Sequence, residues 1–530
     1  MLGQWLEGLA VALSFAVLIT ARTETAARLC ALQAAIVSLV VALHFAWLAV
    51  IPLALIATIP RLGRYFPAHA DRARPVSLFI GSILALLALA FPDENLALAV
   101  VFLGAAVTAT RRSAGMQIFG LISLQNGIVL AVANSPAAAA STVIAMVPVV
   151  PAFAVAGLWL TTARKGALVL AAWPANSWVD AMACSVVLAL ICLLAWLVPL
   201  QWATLHVDAF GTTMVLLVAI AATAASWAER LQTSDTRPAG VRFVAVLGVA
   251  LAVFIDDPVQ SWLALVIATV AAASFSLPRR TEAWRHLCLG SLGLGIALSG
   301  TIATAGASAA APVCTVVGLG MVACLAPELT LAAVAMIVRH LYPATEHAPL
   351  EALLLVAGLA ALVITGCGTL RWGKRLSLVS LTSFGQAGVA LFAFGLGTPA
   401  AHVAALTNLV LLSLTESGLL LAGEGSFAQL AATAGLAGVP PFGTFPGLAL
   451  VIAETAARLP WMLLPFATAL SLFVWSILTR LPALAPVRGL PPTPRPTPYA
   501  WGPLVLALLV GFAMPQPIFA WLQSAAERMP

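Results

Sequence analysis

Long apolar runs follow one another along nearly the whole chain, separated by short polar clusters. A helix that crosses hydrocarbon needs about 20 apolar residues, within a range of about 17 to 25. Runs of that kind predict helices near residues 4–20, 26–42, 44–60, 75–91, 95–110, 115–133, 139–161, 178–199 and 210–227. Further ones fall near 241–255, 258–277, 285–303, 312–326, 328–341, 350–369, 376–396, 401–422, 427–457, 461–479 and 501–521. The runs are continuous, not alternating as barrel strands of about ten residues would be. In lipid every backbone N–H and C=O must be paired internally. The pattern predicts an all-α fold, a polytopic transmembrane helix bundle of about 18–20 spans.

Pro and Gly interrupt this pattern in a few places. Gly435-Leu-Ala-Gly-Val-Pro-Pro-Phe-Gly-Thr-Phe445 cuts an otherwise apolar run, so Gly438, Pro440, Pro441 and Phe445 mark a broken helix. Irregular backbone at membrane depth is tolerated where it is buried in protein or lines a wet cavity. The run 312–341 splits into two helices near Pro327. Arg488 to Pro498 reads as an extended cytoplasmic linker, and Trp173 to Asp180 as a softer seam.

Composition makes lipid the solvent. Of 530 residues, 62% are hydrophobic and only 8% charged, against about 25% charged in a soluble domain; mean hydropathy is +1.06. Leu2 to Thr20 is apolar without a basic lead and is followed by more spans, so it reads as the first transmembrane helix, not a cleaved leader. With the N-terminus outside, the cytoplasmic loops would carry Arg22 and Arg28, Arg61 to Arg74, Arg111 and Arg112, Arg164 and Lys165, and Arg230 to Arg242. Arg279 to Arg285, Arg371 to Arg375 and Arg480 to Arg495 continue the series, while Asp93, Glu94, Asp208, Asp256 and Asp257 fall in the opposite loops. This alternation follows the positive-inside rule and puts both termini outside, in what reads as a bacterial cytoplasmic (inner) membrane. The net charge of +6 comes from these loop arginines and implies no nucleic acid partner. The seven cysteines are scattered through apolar runs without a CxxC pair. They read as small buried side chains, so neither metal nor other cofactor is expected.

Ionisable groups inside a membrane are costly and are functional candidates by default. Glu328, Glu416 and Glu454 are the carboxylates within or near spans; the amides are Gln33, Gln125, Asn126, Gln386 and Asn408. Each has a plainer reading. Glu328 follows Pro327 at a helix start, where the dipole favours a carboxylate. Glu454 precedes Arg458 by one turn and could pair with it. Glu416, in Ser413-Leu-Thr-Glu-Ser417, is either a proton-handling group or a neutral carboxyl bonded to Ser or Thr. Gln125 and Asn126 suit helix–helix hydrogen bonds. Both lysines, Lys165 and Lys374, fall at helix ends, so the bundle offers few groups of the kind a proton relay uses.

Two stretches resemble known families. Over residues 1 to about 170, Arg112-Ser-Ala-Gly-Met-Gln-Ile-Phe-Gly-Leu-Ile-Ser-Leu-Gln-Asn-Gly127 resembles the small E-type membrane subunit of hydrogenase-4 and formate hydrogenlyase complexes, itself related to a small proton-channel subunit of complex I. The surroundings of Leu32-Gln33, and Arg61, also fit. Where that family has Gln-Ile-Phe-Gly followed by Glu-Asn-Gly, this chain has Gln125, which keeps the shape but cannot carry a proton. Over roughly 240 to 480 the chain is similar to the antiporter-type subunits of complex I, Mrp antiporters and group 4 hydrogenases. Thr382-Ser-Phe-Gly-Gln-Ala-Gly388, Leu419-Leu-Leu-Ala-Gly423 and above all Gly438-Val-Pro-Pro-Phe-Gly-Thr-Phe445 carry that likeness. It departs at Trp262 to Thr269, where Val266 replaces a glutamate. At or beside Thr415, with Glu416 adjacent, and around Gly318-Leu-Gly-Met-Val322, lysines are missing.

The resemblance implies an E-type module at 1–170, linking helices at 171–240, a reduced antiporter-like module at 241–480, and a Pro-rich linker with a final helix at 481–530. It implies a membrane-arm subunit of a complex I-like or group 4 hydrogenase-like assembly. Proton or cation translocation there is driven by redox chemistry in other membrane and peripheral subunits, and this chain supplies no catalytic site of its own. The proton-path candidates are Glu416, then Glu328, with Gln125, Asn126, Gln386 and Asn408 ordering water. The lost charges leave a second reading, a structural subunit that no longer pumps. A third is a stand-alone secondary transporter.

Overall fold

The computed structural model describes residues 2–44, 59, 75–89, 95–111, 113–134, 201–202, 205–232, 239–274, 280–305, 311–343, 347–371, 375–422, 426–441, 443–480, 498–527 and 529. The spans expected near 44–60, 139–161 and 178–199, the seam at Trp173 and the linker at Arg488 lie outside them, as do most of the loop arginines.

The protein is an all-α membrane helix bundle. In chain order the elements are α1 (Leu2–Ile19), α2 (Thr23–His44), α3 (Pro75–Leu89), α4 (Asn95–Thr110) and α5 (Ala114–Asn134). A two-residue antiparallel pair follows, β1 (Gln201–Trp202) with β2 (Leu205–His206). Then come α6 (Ala209–Gln232), α7 (Ala239–Phe254), α8 (Pro258–Ser274), α9 (Arg280–Ala305), α10 (Ala311–Ala323), α11 (Pro327–Leu341) and α12 (His347–Arg371). The rest are α13 (Arg375–Phe394), α14 (Pro399–Leu421), α15 (Phe427–Leu436), α16 (Phe445–Arg458), a 3₁₀ turn at Pro460–Met462, α17 (Leu463–Leu478), α18 (Pro498–Phe512) and α19 (Gln516–Glu527). Among the described residues five helices are by themselves long and apolar enough to cross a membrane, and eight shorter apolar ones accompany them.

The chain forms two compact units, residues 1–166 with 276–321, and residues 167–275 with 322–530. In the first, α4 and α5 pack together, α1 lies on α2 and α4, and α9 lies on α4 and α5. Small residues let backbones approach, the usual device of helix pairs in lipid. A Cβ on Gly104 would sit 2.4 Å from the Leu124 main-chain nitrogen.

In the second unit α14 is the central helix, with 17 of its 23 residues buried. It packs against α6, α13, α15, α16, α18 and α19. Helix α11 is buried even more thoroughly, at 13 of 15 residues, and lies on α6, α7, α8 and α13. Helices α12 and α17 turn Val356, Ile364, Leu464 and Trp475 outward, where hydrocarbon is the natural partner.

Three expectations about breaks can be compared with the result. The run 312–341 is two helices, α10 and α11, parted ahead of Pro327. The run 427–457 breaks where Gly438, Pro440 and Pro441 predicted, with α15 ending at Leu436 and α16 beginning at Phe445. Gly438 and Gly443 adopt φ of 76° and 61°, the left-handed region glycine enters without penalty. The single helix expected at 501–521 is wrong. Helices α18 and α19 meet at a 75° bend, because Pro515 and Pro517 lack the N–H a continuing helix needs.

Candidate functional site

The buried polar groups of the second unit gather where α13 and α14 face the broken helix. Ser383 and Gln386 are three residues apart on α13, hence on one face. The Ser383 hydroxyl bonds the Glu416 carboxyl of α14. Farther along the same helix pair, Asn408 Nδ2 donates to the Gln386 main-chain and side-chain oxygens, at 3.2 Å each. Gln386 Nε2 donates in turn to the Leu436 carbonyl at 2.6 Å and to Thr444 Oγ1 at 3.0 Å.

These last bonds hold the break together. A helix end inside a membrane strands carbonyls that water cannot reach. Gln386 takes up the last carbonyl of α15, and Thr444 returns both its N–H and its hydroxyl to Gly435 at 3.0 Å. Gly443 packs on the Gly435 backbone so closely that an added Cβ would lie 2.4 Å away. Thr415 is fully buried. Its hydroxyl donates to the Leu411 carbonyl at 2.6 Å, and its methyl lies beside Gly435.

Glu416 is 1% exposed and Glu328 9%. Glu328 sits in the first turn of α11, as the dipole reading expects. Glu416, Glu328, Gln386 and Asn408 are thus assembled in one unit, with Ser383 and Thr444 added. Sequence alone did not single out those two hydroxyls, although Ser383 lies one turn before Gln386.

Gln125 and Asn126 belong to a different network in the first unit. Asn126 Nδ2 donates to Gln33 Oε1 at 3.2 Å, and Gln33 Nε2 to Ser14 Oγ at 2.6 Å and to the Ala10 carbonyl at 3.2 Å. Ser123 reaches Ser14 at 3.3 Å. Helices α1, α2 and α5 are joined by these bonds, as the helix–helix reading of Asn126 expects. Gln125 is buried beside them, but its Oε1 has no hydrogen-bond partner among the described residues.

One ion-pair expectation changes. Glu454 accepts from Thr398 Oγ1 at 3.3 Å, while Arg458 lies exposed, so the pairing one turn apart is not formed. Arg339, at the end of α11, instead gathers distant acids. It meets Asp256 at 3.0 Å, Asp208 at 3.4 Å and the His206 carbonyl at 2.9 Å. Spacing could not reveal acids 83 and 131 residues away.

Among the described residues no cluster of His, Cys, Asp or Glu could hold a metal ion. The arrangement can relay hydrogen bonds and store a proton on a carboxyl; it holds no group set for covalent catalysis.

Comparison with known proteins bears on the fold. No protein-family model and no curated protein matches the chain. Solved structures do. A chain of respiratory complex I from Thermus thermophilus matches with TM-score 0.52 at 20% identity, over 71% of this chain and 98% of that one. A chain of the membrane-bound sulfane sulfur reductase, an archaeal respiratory membrane complex, matches with TM-score 0.51 at 13% identity, over 73% and 97%. A chain of the Mrp complex from Dietzia sp. DQ12-45-1b matches with TM-score 0.53 at 14% identity, over 73% and 97%. The protein therefore has the fold of subunits found in these membrane complexes.

Proposed function

We propose that the protein is a membrane-arm subunit of a complex I-like or group 4 hydrogenase-like assembly, where it contributes to proton or cation translocation. Redox chemistry belongs, on this reading, to partner subunits. One observation carries it. A buried carboxyl, Glu416, is bonded to Ser383, on the same helix pair whose amides Gln386 and Asn408 clamp the broken helix. The matched chains are spanned almost whole while more than a quarter of this chain lies beyond them. That excess leaves room for a second module, which the sequence resemblance places near 1–170 beside an antiporter-like module near 241–480. The carrying groups would be Glu416 and Glu328; Gln125, Asn126, Gln386 and Asn408 would order water around them. The membrane would be a bacterial inner membrane with both termini outside.

The structural, non-pumping reading is favoured by a separate observation. Val266 and Thr415 fill positions where the resembled families carry charge, and both are buried against neighbours. The deciding experiment is proton flux in proteoliposomes holding the whole assembly, purified through a tag on this chain. Glu416→Gln keeps the hydrogen bond to Ser383 and removes the titrating group. The translocation reading expects flux to fall at least tenfold with the assembly intact; unchanged flux leaves the structural subunit. Recovery of this chain alone, stable and moving a solute by itself, would favour the secondary transporter instead.

A further inference from the structure

Hydrogen-bond polarity runs in one direction through the break between α15 and α16. The Leu436 carbonyl can only accept, so Gln386 must turn Nε2 towards it. The same nitrogen donates to Thr444 Oγ1, whose own proton goes to the Gly435 carbonyl. Gln386 Oε1 is left facing Asn408, which must answer with Nδ2. Asn408 Oδ1 then occupies the opposite edge of its amide. It is fully buried and has no hydrogen-bond partner among the described residues.

The first turn of α16 stands against this residue. A Cβ on Gly447 would lie 2.7 Å from Asn408 Cα and 3.0 Å from its Cβ. Helix α16 has no side-chain cap, since the Thr444 hydroxyl is turned back to Gly435. The Thr444 and Leu448 N–H groups have main-chain acceptors, while those of Phe445 and Gly447 have none among the described residues. Pro446 has no N–H. An unpaired buried acceptor and two unpaired donors thus belong to helices in direct contact at an uncapped helix start. A bare anion would be repelled by Oδ1 and a bare cation by the N–H groups. A neutral molecule that accepts twice and donates once satisfies all three.

We propose that this break is a binding site for one water molecule, held by the Phe445 and Gly447 N–H groups and by Asn408 Oδ1. Buried waters make about three hydrogen bonds at polar sites that lack other partners, and this site offers three. Such a water completes the pairing that hydrocarbon cannot supply. The site does not depend on ion movement; it follows from the orientation of the amides.

The chain contains a single Pro–Gly pair, Pro446-Gly447. Carbonyl-¹³C proline with ¹⁵N-glycine therefore isolates the Gly447 amide in solid-state NMR of the full chain in lipid. Water-to-amide polarisation transfer should reach Gly447 in the native protein and in Asn408→Asp, which keeps an oxygen at that edge. It should be lost in Asn408→Leu. No transfer in the native chain, or transfer that survives in Asn408→Leu, overturns the proposal. A Gly447 resonance that moves on titration with sodium chloride overturns it too, because the ligand is then an ion. Should Asn408→Leu fail to fold, the native and Asn408→Asp spectra decide.

Discussion

At the scale of single residues, the buried polar groups differ in how their loss would be felt. Arg339 is 6% exposed and joins Asp208, Asp256 and the His206 carbonyl. Removing one member of a buried ion pair strands the other and costs about 3–5 kcal/mol. Asp256 is 55% exposed and can rehydrate, so Arg339→Met should cost about 3 kcal/mol, the lower end of that range. The measurement is the thermal unfolding midpoint in detergent. Asp256→Asn, at the hydrated rim, should cost no more than about 1 kcal/mol, the scale of exposed pairs. Equal losses from the two substitutions would contradict this division. For Ser383→Ala, flux in the assembly separates roles. On the proposed function, if Ser383 orients the Glu416 carboxyl, flux falls severalfold while the protein stays folded. Gln386 and Glu416 were legible from sequence because polar residues stand out in apolar helices. Ser383 and Thr444 were not, since a hydroxyl can bond within its own helix and leaves no trace in the pattern.

At the scale of elements, the break at α15–α16 depends on backbone approach that only glycine allows. Gly443 combines φ of 61° with a Gly435 backbone contact that leaves no room for a Cβ. The left-handed backbone alone costs an L-residue about 1–2 kcal/mol, and the clash falls on main chain that cannot move aside. Gly443→Ala should therefore lower stability by more than about 2 kcal/mol. Gly320, on α10, has open space around its Cα. Gly320→Ala should be neutral or stabilising by up to about 1 kcal/mol. Paired melting curves test the contrast, and similar shifts for both would mean that the break is not tightly packed. Sequence located this break because Gly and Pro cluster there. It missed the bend at α18–α19, although Pro515 and Pro517 lie inside the run, because hydropathy counts proline in an apolar stretch as harmless. Its place near the first break is equally invisible in the pattern: Gly511 packs on Pro446 and Leu411, a contact set by how α18 returns along α14.

At the scale of the whole molecule, arginines fix which helix ends lie together. In the second unit Arg339 ties the end of α11 to Asp208, before α6, and to Asp256, before α8. Tyr342 adds the end of α13 through the Phe394 carbonyl at 2.6 Å. Arg480 donates to the Thr369 and Leu370 carbonyls at 2.7 Å, joining the far end of α12 to the end of α17. In the first unit Arg111 likewise takes the Leu18 and Thr20 carbonyls at the end of α1. A cation at a helix C-terminus pairs stranded carbonyls and opposes the dipole, so these contacts are favourable as well as topological. They group helix ends as the charge alternation did, although Arg111, one of the loop charges behind that alternation, is buried and bonded here. Absolute orientation then rests on which end carries more positive charge. Gln260, at the start of α8 beside the acids, and Phe427, at the start of α15, are both exposed. The two lie at opposite ends of the alternation. With the seven cysteines replaced by serine or alanine, Gln260→Cys should react with a membrane-impermeant maleimide added to intact cells. Phe427→Cys should react only after the membrane is opened. The reverse result means an inverted protein with the same helix order. Reaction of both from one side means that an odd number of crossings has been miscounted between them, and the alternation itself fails.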